Sequence, residues 1–436
     1  MRRIFSIETD VATARAEVKN KFDQMSRRFG FRCSRNFNAG KNRKAGYTMT
    51  HNFHKITPRT NTNSLKYDYA KELNKPSSAI PLWVADMDFQ TPPEVTEALT
   101  QCAQHGIFGY TITKEDYAST VQNWFANNFG FQSKPEWIVK TPGVVYALAM
   151  AVRAFTQKGD AVMIQKPVYY PFEKVIEDNH RKVVDNSLIY ENGRYHIDFD
   201  DFERKIINNN VRMFILCSPH NPVGRVWTAD ELYQMGQICL RHNCLIISDE
   251  IHCDLTFEGH THRMFPTVHP SFLDNTVICT APSKTFNLAG LQNSNIFIPN
   301  EGLRKQFITE ITKSGYGQLN TMGLAACKAA YEHGHDWLVQ LRSYLQDNLE
   351  FMKAFFAEHI PQVKVVEPEG TYLIWLDFNA LGLSHEDLDD MLLNQAKVWL
   401  SSGTLFGPQG EGFQRINIGC PRQTLEAALK SISTIM

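Results

Sequence analysis

Residues 213–224, Met213-Phe214-Ile215-Leu216-Cys217-Ser218-Pro219-His220-Asn221-Pro222-Val223-Gly224, pass from an apolar strand pattern directly into a polar, turn-forming cluster. The arrangement recurs twice: Leu245-Ile246-Ile247 leads into Ser248-Asp249-Glu250, and Val277-Ile278-Cys279 leads into Ala281-Pro282-Ser283-Lys284. Short apolar runs without polar alternation suit strands covered on both faces. Helical patterns such as Ala229–His242 separate the runs, so the strands read as parallel and joined by crossover helices, an α/β fold. Ligands of open α/β sheets bind beyond the carboxyl ends of the strands. Asn221, Asp249 and Lys284 therefore fall on one rim. Taken singly, each is most simply a turn former, a helix cap or a solvated lysine; it is their shared position that points to chemistry.

Outward from this centre, Ala161–Ile164, Cys244–Ser248, Thr276–Cys279 and Asn295–Ile298 are strand-like, all expected in the parallel sheet. Val144–Phe155, Leu303–Lys313 and Gly323–Phe356 carry helical periodicity, the last bent or broken around His333–Asp336. After about residue 357 the order becomes strand (Val363–Val366, Tyr372–Leu376), helix (His385–Lys397), strand (Arg415–Ile418) and helix (Thr424–Ile435), a smaller α+β domain. The expected division is an appendage over 1–48, an N-terminal segment over 49–95, a large domain with its connecting helix over 96–345, and a small domain over 346–436. The appendage stands apart in composition, with twelve Lys/Arg against four Asp/Glu. It reads as a dispensable tail, with a targeting segment or a binding helix as the other readings.

The 436 residues balance 45 basic against 46 acidic side chains, which gives no global field for nucleic acid or an anionic membrane. No apolar run approaches the roughly 18 residues a bilayer span needs. A soluble, cytoplasmic protein with a small-molecule partner is the expectation. The nine cysteines lack zinc-type spacing and read as buried reduced thiols. His252, His260 and His262 form the closest histidine grouping, and it fits no metal-site pattern, so no metal is expected.

Thr141-Pro142-Gly143-Val144-Val145 opens a helix after a strand, where free backbone N–H groups and the helix dipole favour an anion. Together with the three strand ends, in this order and spacing, it resembles the fold-type I pyridoxal 5′-phosphate (PLP) enzymes of the class I/II aminotransferase superfamily. The resemblance implies that Lys284 forms the imine with PLP and acts as base, that Asp249 holds the pyridine nitrogen protonated, and that Asn221 reaches the phenolic oxygen. It further implies a phosphate cup from Gly143, Val144 and Val145 with Ser283, and Tyr169 stacked on the ring. The chemistry is consistent: an electron sink at the ring needs a positive nitrogen, and a lysine nucleophile must lose its proton. Arg415, in Gln414-Arg415-Ile416-Asn417-Ile418-Gly419-Cys420-Pro421, matches the arginine that takes the substrate carboxylate, with Arg422 as the alternative. Val84 and Tyr170 are placed beside the substrate, although Tyr170 also reads as a core aromatic. Tyr110 matches a catalytic tyrosine that crosses a homodimer interface to the neighbouring cofactor.

Within that superfamily, residues 64–436 resemble the MalY/PatB-type cystathionine β-lyases, or cysteine C–S lyases. The basis is Leu82-Trp83-Val84-Ala85-Asp86-Met87-Asp88-Phe89, Val168–Phe172, Ser248–His252, Ser283–Gly290 and Asn417–Pro421. His252 stands where aminotransferases usually place a tyrosine near the phenolic oxygen, Gln292 where they often carry a phosphate-binding arginine, and Ala281 where many carry a serine. The implied reaction expels a thiolate from Cβ of an amino-acid thioether, leaving pyruvate and ammonia; from cystathionine the thiol is homocysteine. An aminotransferase shares the early steps and remains the alternative, with a non-catalytic regulatory protein on the same fold as the second.

Overall fold

The computed structural model describes residues 51–436; the basic segment 1–48 lies outside the described residues. Seven strands form the central sheet: β1 (Ile138–Thr141), β2 (Ala161–Ile164), β3 (Lys182–Asp185), β4 (Val211–Cys217), β5 (Leu245–Asp249), β6 (Thr276–Thr280) and β7 (Ser294–Phe297). Their spatial order is β1-β7-β6-β5-β4-β2-β3. Pairs β3/β2, β2/β4, β4/β5 and β5/β6 are parallel. β7 runs antiparallel to both β6 and β1, which corrects the expectation that residues 295–298 join the parallel set. Only residues 281–293 separate β6 from β7. They turn back at the rim instead of forming the long crossover a parallel return requires.

The unbroken apolar runs have a clear cause. On β4, Phe214 and Leu216 pack with Trp227, Leu232 and Met235 on one face, while Met213, Ile215 and Cys217 pack with Ala147, Leu148 and Ala151 of helix α1 (Val144–Phe155) on the other. Period-two alternation thus serves two cores, each buried large side chain contributing about 1.5–3 kcal/mol. Helix α2 (Ala229–Arg241) begins at a reciprocal capping box between Thr228 and Glu231. Helices α3 (Thr321–His333) and α4 (His335–His359) meet at Gly334, where the helical stretch was expected to break. A Cβ there would lie 2.4 Å from the Phe286 ring.

Four short antiparallel strands make a second sheet: β8 (Lys364–Val365), β9 (Leu373–Asp377), β10 (Ser401–Ser402) and β11 (Phe413–Asn417), in the order β8-β9-β11-β10. The expected helix from His385 is a short α-helix, His385–Asp390, continued as a π turn over Met391–Gln395. Register places Arg415 of β11 between Trp375 and Ser401. Ile80–Pro81 pairs with Val398–Trp399, and Asn417 takes the carbonyls of Val84 and Asp86 at 2.7 and 2.6 Å, so the 82–89 segment is laid along this sheet.

Candidate active site

Register within the central sheet brings the three strand ends level, since Cys217 pairs with Asp249 and Asp249 with Cys279. Above them opens a cavity of about 190 Å³. Gly143, Val144, Val145, Tyr169, Asn221, Asp249, His252, Ser283 and Lys284, singled out from the sequence for cofactor binding, all line it. Ala85, Cys217, Gln292 and Asn293 line it too.

At one end, α1 starts at Gly143 without a side-chain cap, so its first N–H groups have no partner within the helix. A Cβ added to Gly143 would meet no protein atom within 4 Å; the space belongs to the cavity. This cradle suits an anion at a helix N-terminus, and Ser283 lines the same cavity. Asp249, also lining the cavity, is 4% exposed, one oxygen accepting from the Ile251 N–H at 3.1 Å. Among the described residues no cation pairs with it, and burial pushes its carboxyl up to about 7, against that backbone hydrogen bond and the Lys284 charge. A buried carboxylate of this kind awaits a positive group.

Lys284 is half-buried and lines the cavity. Its Nζ donates to the Ala85 carbonyl at 2.7 Å. Burial, then the Arg415 charge, lower its pKa to about 8, against Asp86 and Asp249. The amine therefore gives up its proton far more readily near neutral pH than an ordinary lysine, as a nucleophile or proton acceptor requires. His252 is 3% exposed, and burial with the neighbouring Lys284 and Arg415 charges drives its pKa well below the usual imidazole range, so the ring is neutral.

Arg415, 4% exposed, donates to Asn221 Oδ1 at 3.0 Å, to the Trp83 carbonyl at 2.8 Å and to Ser401 Oγ at 3.0 Å. Its Nε has no partner, and no carboxylate among the described residues pairs with it. Burial lowers its pKa to about 10. A buried guanidinium without a counter-charge is costly unless a ligand supplies one. Arg422, the alternative from the sequence, is elsewhere engaged: its Nε donates to Asn348 Oδ1 at 2.8 Å and its guanidinium covers the Phe351 ring. Tyr170, 42% exposed, stands 5.4 Å from Tyr169 between ring centroids and near Phe406, on which Arg415 lies. Tyr110 does not line the cavity: it is 98% exposed on the segment after helix Pro93–His105, beside exposed Ile107, Phe108 and Ile112.

Sequence reasoning missed the Ala85 carbonyl, which accepts from both Lys284 Nζ and Tyr372 OH, the latter at 2.9 Å. It also missed Ser401 beneath Arg415. A backbone acceptor carries no side-chain signature, residues 199 and 287 positions apart cannot be paired by spacing, and the Ser401–Arg415 contact depends on the antiparallel register of two short strands.

A match to the family described as aminotransferase class I and II spans residues 77–432. Cystathionine beta-lyase PatB of Bacillus subtilis is 45% identical over 385 residues, 88% of this chain and 100% of that protein. Protein MalY of Escherichia coli is 32% identical over 87% of this chain and 97% of its own. Among solved structures, cystalysin from Treponema denticola, which contains a pyridoxal 5′-phosphate cofactor, superposes with a TM-score of 0.86 at 37% identity, covering 89% of this chain and 99% of that one. The PLP-bound C–S lyase of Staphylococcus hominis does so at 0.83 and 34%, covering 89% and 99%.

Proposed function

We propose, from the premise that this chain belongs to the class I and II aminotransferase family, that it is a PLP-dependent carbon–sulfur β-lyase. Its substrates are cystathionine or a related cysteine thioether and one water, which hydrolyses the three-carbon enamine acid left by elimination, and its products are a thiol, pyruvate and ammonia. The observation that carries amino-acid chemistry is the conjunction of Lys284 and an Asp249 without a counter-cation, both lining one cavity, with a buried Arg415 that has no carboxylate partner among the described residues and donates to Asn221 of the cavity wall. The 45% identity to a cystathionine beta-lyase over the whole of that relative favours lyase over transferase.

The cavity fits PLP by its donor set. The N–H groups of Val144 and Val145, with Ser283, would hold the phosphate, Tyr169 would stack on the ring, and Asp249 would keep a proton at the ring nitrogen. Asn221 accepts from Arg415 at Oδ1, which leaves its amide nitrogen to donate to the phenolic oxygen. Bound there, the cofactor supplies the electron sink for charge released at the substrate's Cα. Arg415 grips the substrate α-carboxylate, where a bidentate guanidinium is strongest. Lys284 takes the Cα proton at Nζ, and the Cβ–S electron pair leaves with the thiolate. Val84 and Tyr170 flank the substrate.

Tyr110, exposed within an apolar strip, is assigned to the neighbouring subunit's cofactor in a homodimer that acts in the cytoplasm. The test of the reaction is to incubate the pure enzyme with a panel of thioethers and with amino acid/2-oxo acid pairs, scoring thiol, pyruvate and new amino acid. Stoichiometric thiol and pyruvate are expected; new amino acid without thiol identifies a transferase.

A further inference from the structure

The family match begins at residue 77, yet residues before it reach the site. Arg59 grips Asp86 with two parallel bonds, Nη1 to Oδ1 at 2.9 Å and Nη2 to Oδ2 at 2.7 Å, and extends Nη1 to Asp88 Oδ1 at 2.7 Å. Lys66, 1% exposed, lies 2.9 Å from Asp88 Oδ2 and 3.6 Å from Asp86 Oδ1. Tyr67 OH donates to Asp88 at 3.1 Å. Two cations and two carboxylates thus form a neutral cluster. Asp86 directly follows Ala85, the residue whose carbonyl receives Lys284 Nζ.

Three charges and three neutral groups face Lys284. Asp249 stands at the end of β5, Arg415 on β11, Asp86 on the 82–89 segment, and neutral His252 after β5; the phenols of Tyr372 and Tyr169 are neutral, burial having raised both pKa values, Tyr169 to about 12. On the functional reading above, on which this inference rests, the protonated ring nitrogen matches Asp249 and the substrate carboxylate matches Arg415. Asp86 does not line the cavity. Its compensation comes from Arg59, with Lys66 in support.

We propose that Arg59 is a positioning residue of the reaction: by neutralising Asp86, beside the carbonyl that receives Lys284, it keeps the Lys284 nitrogen able to give up its proton. Arg59 touches no reacting atom. Without it, Asp86 faces Lys284 with its charge uncompensated except by Lys66 at 3.6 Å, and an unopposed carboxylate stabilises the protonated nitrogen. Removing Asp86 instead leaves an excess positive charge and does the opposite.

The test is a spectrophotometric pH titration of the full-length holoenzyme, following the visible band of the bound cofactor, whose midpoint reports protonation at the Lys284 nitrogen. Arg59→Gln should move the midpoint up by about half to one pH unit, less than a fully buried charge would, because the Arg59–Asp86 pair is about one-fifth exposed. Arg59→Lys keeps the charge and should stay near wild type. Asp86→Asn should move the midpoint down, and the double variant Arg59→Gln/Asp86→Asn should fall between the two. A purely structural role for Arg59 predicts no opposed shifts. An unmoved midpoint in folded, cofactor-loaded Arg59→Gln overturns the proposal; should that variant not fold, an unmoved or raised midpoint in Asp86→Asn overturns it equally. A wild-type holoenzyme whose visible band does not titrate overturns this proposal alone, whereas a protein that binds no PLP overturns the functional reading and this proposal with it.

Discussion

Replacing Arg415 by glutamine separates a binding role from a structural one, because the two move stability in opposite directions. Burial holds the guanidinium at a pKa of about 10 instead of 12.5. At about 1.4 kcal/mol per tenfold, that corresponds to roughly 3 kcal/mol set against the charged form in the folded, ligand-free chain. No carboxylate among the described residues offsets this, so removing the charge relieves a cost and the melting temperature of the ligand-free enzyme should hold or rise. Glutamine still reaches toward Asn221, Trp83 and Ser401, which limits new unpaired acceptors. Binding suffers instead. A bidentate grip on a carboxylate comprises two charge-assisted hydrogen bonds, each worth about 1.5–3 kcal/mol, so kcat/KM for a thioether should fall roughly a hundred- to ten-thousandfold. Because the carboxylate is held alike in the ground and transition states, most of the loss should fall on KM. Steady-state kinetics over a wide substrate range, beside thermal melts, measures both. An unchanged KM, or a melting temperature lowered in step with activity, refutes the assignment of Arg415 to the substrate carboxylate.

Three further outcomes follow from the same geometry. With Asp249 raised from 3.8 to about 7, the folded cofactor-free chain keeps a proton that the unfolded chain releases above about pH 4; its stability should therefore fall as pH rises from about 4 to 7, and Asp249→Asn should flatten that slope in thermal melts while slowing Cα deprotonation by at least about a hundredfold in the loaded enzyme. Mixing an inactive Lys284→Ala chain with an impaired Tyr110→Ala chain and allowing exchange should restore activity in up to about half of the hybrid's sites; no recovery in verified hybrids places Tyr110 in its own subunit's site. A chain beginning at Met49 should load cofactor and turn over normally, and loss of cofactor in that chain would make the basic segment part of the site.

Much of this arrangement is legible in the residues, and what is not has identifiable reasons. Strand ends at Cys217, Asp249 and Cys279 can be read because each apolar run stops where the backbone reaches the rim, and parallel register then levels them. The start of α1 at Val144 is legible from the glycine before an unbroken helical pattern. The direction of β7 is not: Ser294–Phe297 is buried on both faces whether it runs with its neighbours or against them, and its direction follows from the rim turn over 281–293. Arg415 is identified by the motif around it, but the absence of any acidic partner is a property of the packed chain. The bonds that fasten Ala85 and Asp86, from Lys284, Tyr372, Asn417 and Arg59, join segments of distant sequence, and neither periodicity nor spacing encodes them.

The central claim is that this cavity holds PLP through Lys284. Borohydride reduction of the enzyme as purified, followed by proteolysis and mass spectrometry, tests it most directly, since reduction fixes the cofactor to the amine that carries it. The account predicts one phosphopyridoxyl adduct per chain, on the peptide containing Lys284, and a Lys284→Ala protein with neither adduct nor turnover. An adduct on another lysine of the native enzyme, or full activity in Lys284→Ala, contradicts it.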